Sequence, residues 1–288
     1  MLINLDKIKN EKPLNELLEF SIINLDKPCG LTSFLTAKIA GKILGAKKFS
    51  HFGTLDPKVT GVLPIALNRA CRLATWFMKK DKTYIGIMRL HKEISEEKLK
   101  EEMQKFVGRI KQLPPVKSRV KREERERAVY RWDILEKDGK DVLFEAEVEA
   151  GTYIRKLCDD LGKSAGGAHM LELRRTRAGI FSEQDKEFVN LYQLEEAVKA
   201  WKNGNEEILR KILIPGEIVS KIMPVAQAKE KSVSKLLKGK PIMRNDLKED
   251  LGLESNKNVA VFCNERFIEV AEITNEKNIT ARPKFVLN

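Results

Sequence analysis

Histidine is scarce in this chain, with three in 288 residues (His51, His91 and His169), and cysteine stops at four (Cys29, Cys71, Cys158 and Cys263). The cysteines lie far apart with no C-x-x-C pair, so a zinc site has no ligand cluster and no metal is expected. They read as buried, reduced thiols of a cytoplasmic protein. Long apolar runs are missing too. Nothing approaches the ~20 residues of a membrane span. The N-terminal stretch mixes Asp6, Lys7, Lys9, Glu11 and Lys12 with scattered leucines, where a secretory signal needs an apolar core. No G-x-G-x-x-G follows a strand. The segment Gly41 to Lys48 misses the phosphate-loop spacing by one residue and lacks Ser or Thr after its lysine, so no nucleotide cofactor is indicated. Helix-turn-helix, zinc-finger and basic-zipper signatures are absent, which argues against DNA as a partner.

Charge is what the chain has in quantity. Lys and Arg number 54 against 42 Asp and Glu, a formal net charge of +12, and such a surplus suits a polyanionic partner. Its distribution is uneven. Between Gly108 and Arg131, nine basic residues (109, 111, 117, 119, 121, 122, 125, 127, 131) stand against three glutamates, so half of the net charge sits in 24 residues. Phosphate contact is the natural use of such a patch. The plainer reading, a solvated charge run, is weakened by Pro114, Pro115, Val116, Val129, Tyr130 and Trp132, which tie the segment to a core.

With 42% hydrophobic side chains the chain can bury a good core, and its length suits one large domain plus a small one. A strand is expected over 22–25, stopped by Pro28 and Gly30, followed by a helix capped by Thr32 or Ser33, running to about Leu44 and ended by Gly45. Strands are expected over 62–67 and 84–90, and a capped helix over 95–107. Val142, Phe144, Ala146, Val148 and Ala150 alternate with Leu143 and three glutamates, the pattern of a strand with one apolar face. Gly151-Thr152 then turns into a helix over 153–161 closed by Gly162. A strand returns over 171–177, and Asn190 caps an amphipathic helix through Trp201. Pro215-Gly216 and Met223-Pro224 mark the domain boundary, beyond which a helix over 233–237 and strands over 259–263 and 267–273 form a small, mostly β unit. Strands and helices mix without a βαβ rhythm, so the class is α+β.

The most specific stretch runs from His51 to Pro64, His-Phe-Gly-Thr-Leu-Asp-Pro-Lys-Val-Thr-Gly-Val-Leu-Pro. One carboxylate, Asp56, lies between Gly53 and Gly61, which permit backbone angles other residues avoid, and ahead of Pro57, which keeps Asp56 out of a helix. Such a loop can present one acid at a cleft; for Asp-Pro alone a plain turn is the commoner outcome. The whole constellation resembles the catalytic loop of the TruB-type pseudouridine synthases, closest to their archaeal, dyskerin-like branch. Four further segments resemble that family in order: Leu25-Asp26-Lys27-Pro28-Cys29-Gly30-Leu31-Thr32-Ser33, Lys82-Thr83-Tyr84, Gly151-Thr152-Tyr153-Ile154-Arg155-Lys156-Leu157, and Leu173-Arg174-Arg175-Thr176-Arg177-Ala178-Gly179 with Phe181. Taken singly, Tyr84 reads as a core aromatic and Arg155 as an exposed helix cation. The segment Pro114 to Arg122 with Arg125, Arg127 and Tyr130 resembles a feature of the archaeal and eukaryotic members. The residues after Met223 resemble a PUA domain, an RNA-binding pseudo-barrel, departing from its pattern at Lys235-Leu236-Leu237-Lys238.

The resemblance implies three parts: an N-terminal extension (1–20) packing across the PUA domain, a catalytic domain with a central mixed or antiparallel sheet (21–220), and the PUA domain itself (221–288). It implies isomerisation of uridine to pseudouridine in RNA, with Asp56 initiating glycosidic cleavage, Arg155 holding that carboxylate ionised and oriented, and Tyr84 against the target base. It also places His51 in the space vacated by a flipped base, Leu173 at the active site, Lys27 in the motif that buttresses the loop and among the RNA-facing residues, and Lys121 and Arg122 in the basic patch. Arg174, Arg175 and Arg177 alternate along a strand, so two of them share a face and bind phosphate rather than bases. The reaction gains no atoms and changes no oxidation state, so no cofactor is expected. Either nucleophilic attack at C1′ or proton removal from C2′ starts it; the family favours the second. Substrates are tRNA (position 55 of the T loop), rRNA sites chosen by a guide RNA within a box H/ACA particle, or both, with small core proteins as partners. The rival reading is a non-catalytic RNA-binding or ribosome-assembly protein that keeps the fold.

Overall fold

A computed structural model describes residues 3–114, 121–250, 252 and 254–288. Two short helices, α1 (Leu5–Glu11) and α2 (Leu14–Glu19), lead into strand β1 (Ser21–Lys27). Helix α3 (Ser33–Leu44) starts at Thr32, whose hydroxyl accepts from the Leu35 N–H, and ends at Gly45 in the left-handed region. Strands β2 (Phe49–His51) and β3 (Thr60–Leu67) flank the Asp56 loop. Helix α4 (Ala74–Met78), strand β4 (Lys82–Leu90) and helix α5 (Glu96–Gln104), capped by Ser95, come next. A hairpin-rich segment follows: β5 (Gly108–Gln112), β6 (Arg125–Asp138) and β7 (Asp141–Val148). Then come α6 (Ile154–Ser164), β8 (Ala168–Ala178), β9 (Phe181–Ser182) and β10 (Phe188–Val189). Helix α7 (Leu191–Lys202), with a capping box between Asn190 and Gln193, α8 (Glu207–Ile212) and β11 (Leu213–Pro215) complete the first unit.

These strands form one large mixed sheet in the order β10-β1-β3-β8-β4-β7-β6-β5, with β11, β2 and β9 added at its flanks. The β1–β10 and β3–β8 pairs are parallel and the others antiparallel. A second, four-stranded sheet contains β12 (Val225–Gln227), β13 (Asn258–Cys263), β14 (Arg266–Ile273) and β15 (Ala281–Val286), with helix α9 (Glu230–Leu236) beside it. The α+β class is thus the observed one. One apolar cluster runs from Phe20, Phe52 and Phe77 of the first unit into Phe262, Phe267 and Phe285 of the second. Phe20 stacks on Phe267 at 5.2 Å and Lys7 pairs with Glu265 at 2.8 Å, so the N-terminal helices lie against the second sheet.

Three expectations need correction. Gly162 does not close α6 but sits inside it, because a Cβ there would strike the backbone N of Ala168 where β8 leaves the helix. Tyr130 is exposed, whereas Val129 and Trp132 are the buried anchors of the basic hairpin. Two of the four cysteines, Cys158 and Cys263, are buried, while Cys29 is exposed and Cys71 intermediate. Strands β5, β6, β12 and β15 and both N-terminal helices come from charged or irregular sequence that masks their periodicity. Residues 115–120 of the basic segment lie outside the described residues.

Candidate active site

The loop carrying Asp56 is held by its backbone. Arg175 donates from Nη2 to the Gly53 carbonyl (3.2 Å) and from Nε to that of Val62 (2.8 Å). Ser33 Oγ donates to the Leu55 carbonyl at 3.0 Å and accepts from its N–H at 2.8 Å. The Gly30 N–H and Lys27 Nζ both reach the Pro57 carbonyl at 2.9 Å, Lys27 also holds that of Val59 at 2.8 Å, and the Val59 N–H closes on the Asp56 carbonyl at 3.0 Å. Leu55 and Val59 are buried, with Tyr84 and Leu173, in one apolar cluster. Between these anchors the Asp56 side chain stays 50% exposed. The loop is tied through its backbone and open at its carboxylate.

Arg155 stands in the first turn of α6. Ile154, Leu157, Cys158 and Leu161 form the buried stripe of that helix, which leaves Arg155 on its outer side, half exposed and ion-paired through Nη2 with Asp56 Oδ2. The entry to the helix is set by Gln112, whose amide clamps the Tyr153 backbone N–H (3.0 Å) and carbonyl (3.2 Å). An exposed pair contributes roughly 0–1 kcal/mol to folding, so its value is orientation. Tyr84, on β4, and Leu173, on β8, share the inner face of the sheet. Leu173 lies opposite Gly86, where a Cβ would come within 2.8 Å of its side chain.

Two expected RNA contacts are corrected by their burial. Lys27 is 0% exposed and its ammonium is saturated by the carbonyls of Pro28, Pro57 and Val59. Arg175 is 1% exposed and hydrogen-bonded to the Tyr84 hydroxyl as well as to the loop. Neither reaches a phosphate; both buttress the loop. A β-bulge breaks the alternation along β8. Thr83 pairs with Arg177 but Tyr84 with Arg175, so Thr176 is an extra residue that flips the register. Arg174 and Arg177 therefore share the outer face, with Arg174 bound to Asp26 (3.0 Å) and Glu183 (2.7 Å) and Arg177 to Glu147 (2.6 Å).

Lys82 opens the Lys82-Thr83-Tyr84 segment. It is buried with Nζ on the carbonyls of Met78 (2.7 Å) and Lys80, and burial, aided by repulsion from Arg175, pushes it down to about 8. Burial first and Arg175 second also lower His51, which keeps its ring neutral near pH 7. His51 pairs with Ile65 on the β2–β3 ladder leading into the loop. Lys121 and Arg122 are exposed on the chain entering β6, Lys121 paired with Glu123, and neither contacts Asp56. Among the described residues no three His, Cys, Asp or Glu side chains converge as metal ligands. Ser33, Gln112 and Lys82 carried no signal of their own, because each acts through backbone brought close by the fold.

One half-exposed carboxylate thus stands on a clamped loop beside an arginine, with an aromatic ring and an apolar side chain packed behind it, an arrangement suited to an enzyme's active site. Comparison with known proteins gives the family. Residues 41–154 match the TruB family pseudouridylate synthase (N terminal domain) and residues 155–220 the tRNA pseudouridylate synthase B C-terminal domain. A curated protein of Methanopyrus kandleri, "Probable tRNA pseudouridine synthase B", is 42% identical over 255 residues, 88% of this chain and 75% of that one. One of the same name from Thermococcus onnurineus is 45% identical over 231 residues, 80% and 69% of the two chains. A solved chain of a Cbf5-Nop10-Gar1 complex superposes with a TM-score of 0.89 at 36% identity, covering 96% of this chain and 88% of that one. A chain from an H/ACA RNP bound to a substrate RNA containing 2′-deoxyuridine gives 0.88 at 34%, covering 97% and 89%. The chain belongs to the TruB family of pseudouridine synthases, and it is an enzyme that isomerises uridine to pseudouridine.

Proposed function

We propose that Asp56 starts this isomerisation on uridines in RNA, with Arg155 aiming its carboxylate. Tyr84 and Leu173 form the apolar wall against which the target base rests, and His51 fills the space the base leaves. The observation that carries the reading is the Asp56–Arg155 pair on a loop whose backbone is tied from Gly53 to Val59. Breaking C1′–N1, turning the base and joining C1′ to C5 needs one base or nucleophile, a fixed sugar and a base held while unattached. A clamped carboxylate supplies the first, and a ring and a leucine side chain suit the last. Unstacking the base costs a few kcal/mol, which an inserted imidazole offsets in part. Its neutral state avoids burying a further cation beside Arg175.

The likeness to tRNA pseudouridine synthase B supports the tRNA T loop (position 55) as one substrate. The superposition on chains solved with Nop10, Gar1 and RNA supports a second mode, as catalytic subunit of a box H/ACA particle with guide RNA and small core proteins. In this reading residues 21–220 are the catalytic unit, 221–288 the PUA-like RNA-binding unit and 1–20 the strap between them, at work in the cytoplasm. No described helix is long and apolar enough to cross a membrane.

The test is tritium release from C5-labelled uridine in a tRNA transcript, wild type against Asp56→Asn. Release by wild type alone supports the assignment. Equal release by both proteins removes Asp56 from the chemistry. Silence from both with tRNA moves the assay to guide RNA and partner proteins, and silence there as well overturns the reading.

A further inference from the structure

A basic groove lies away from the Asp56 loop, in the seam between the two sheets. It encloses about 620 Å³ and is lined by Lys47, Lys48, Arg69, Arg72 and Lys284, with Glu19 as the single acid of its wall. Lys47, Lys48 and Arg72 are exposed, and among the described residues they form no ion pair. Lys284 pairs with Glu272 at 2.9 Å but stays half exposed. Arg69 forms the floor: Nη2 donates to the Val286 carbonyl (2.7 Å) and to Asn288 (2.8 Å), its guanidinium lies 5.8 Å from the centre of the Phe285 ring, and its Nε is buried without a partner. Folding thus brings the unpaired charges of a loop before β2 and the turn after β3 together with Lys284 of the edge strand β15, whose charge Glu272 partly offsets. Like charges held in one concavity are unfavourable unless an anion joins them.

We infer that this groove binds the phosphodiester backbone of RNA that extends beyond the target uridine, an inference that rests on the RNA substrate proposed above. Position supports it. Lys48 precedes His51 by three residues on extended chain, roughly 10 Å at ~3.3 Å per residue, so the groove opens one short strand away from the residue placed beside the flipped base. Composition supports it too. Lysines and arginines on flexible stems around an open cavity hold phosphates without reading sequence, and five of them line this one.

The experiment measures binding of a complete tRNA transcript and of its isolated T-arm hairpin across a salt series, comparing wild type with the Lys47→Ala/Lys48→Ala/Arg72→Ala triple variant. None of the three residues belongs to the active site, and all are exposed, so the variant should melt with wild type. For the full transcript the slope of log affinity against log salt should fall by about 2 to 3, at ~0.7–0.9 per lost phosphate contact, and affinity at ~0.1 M salt by on the order of 100-fold. The hairpin, which carries only the phosphates nearest the target, should lose less of its slope and affinity than the full transcript. An unchanged slope on the transcript overturns the inference, and so does an equal loss on both RNAs. Asp56→Asn, measured alongside, separates this inference from the catalytic one: its slope should match wild type whatever becomes of its turnover.

Discussion

Glu269 makes the stability of the second sheet depend on pH. It sits in β14 between Val261 and Val286, fully buried, and neither carboxyl oxygen has a hydrogen-bond partner. Burial alone pushes it from an ordinary 4.5 up to about 8. A raised acid holds its proton in the folded state when the unfolded chain has already lost it. Its contribution is therefore fully present below pH 4.5 and is lost as pH rises through 8. At ~1.4 kcal/mol per pH unit, the loss across that window approaches about 5 kcal/mol as an upper figure. Glu269→Gln removes the ionisation and keeps the shape. The two proteins should have similar stability at pH 5, and by pH 9 the variant should lead, with a melting temperature higher by on the order of 10 °C. Hydrogen exchange over residues 258–273, followed from pH 5 to 9 and corrected for the intrinsic rate, reads the effect where it originates. A wild-type-to-variant difference that stays constant across this range would refute the reasoning.

Other outcomes follow from the clamped loop. Arg155→Lys should leave the melting temperature within a degree or two, since the pair is half exposed, but cut single-turnover rates on the order of 100-fold by losing the guanidinium geometry; near-full turnover would remove its aiming role. Lys27→Met strips donors from three carbonyls, and it should destabilise by about 3 kcal/mol in urea titrations after relief of ammonium desolvation. RNA affinity should be unchanged in that variant, and a selective loss of binding would restore Lys27 as a phosphate contact. Gly61→Ala should cost several kcal/mol. Its φ is +98°, and a Cβ would strike the Arg175 backbone across the β3–β8 pair, with the amide N at 2.9 Å. Wild-type denaturation midpoints for this variant would contradict that register.

Much of the core was legible because it is local. Helix α3 announces both its ends through Thr32 and Gly45, and β7 alternates buried and half-buried residues along its length as its sequence does. The basic segment was legible as charge but not as strands, because a two-residue period cannot be read when both faces of β5 carry polar side chains. At the expected boundary the tertiary structure adds contacts that the sequence does not announce: Pro215 pairs with Ser21, and Gly216 is small because the Phe20 ring packs where its side chain would be.

Within the site the division is sharper. Asp56, Arg155, Tyr84, Leu173 and His51 stood out because residue types in a fixed order, matched to a family, survive without coordinates. Their grouping was an expectation until α6 placed Arg155 on Asp56 and the inner sheet face placed Tyr84 beside Leu173. The duties of Lys27, Arg175 and Ser33 belonged to the tertiary structure alone. Whether a cation meets solvent phosphate or buried carbonyls is a matter of burial, and burial depends on strands far apart in the chain. One bulged residue, Thr176, decided which arginine points inward. The amino-acid order determined the chemistry on offer; only the packing of β3, β4 and β8 decided which charges face solvent and which hold the Asp56 loop.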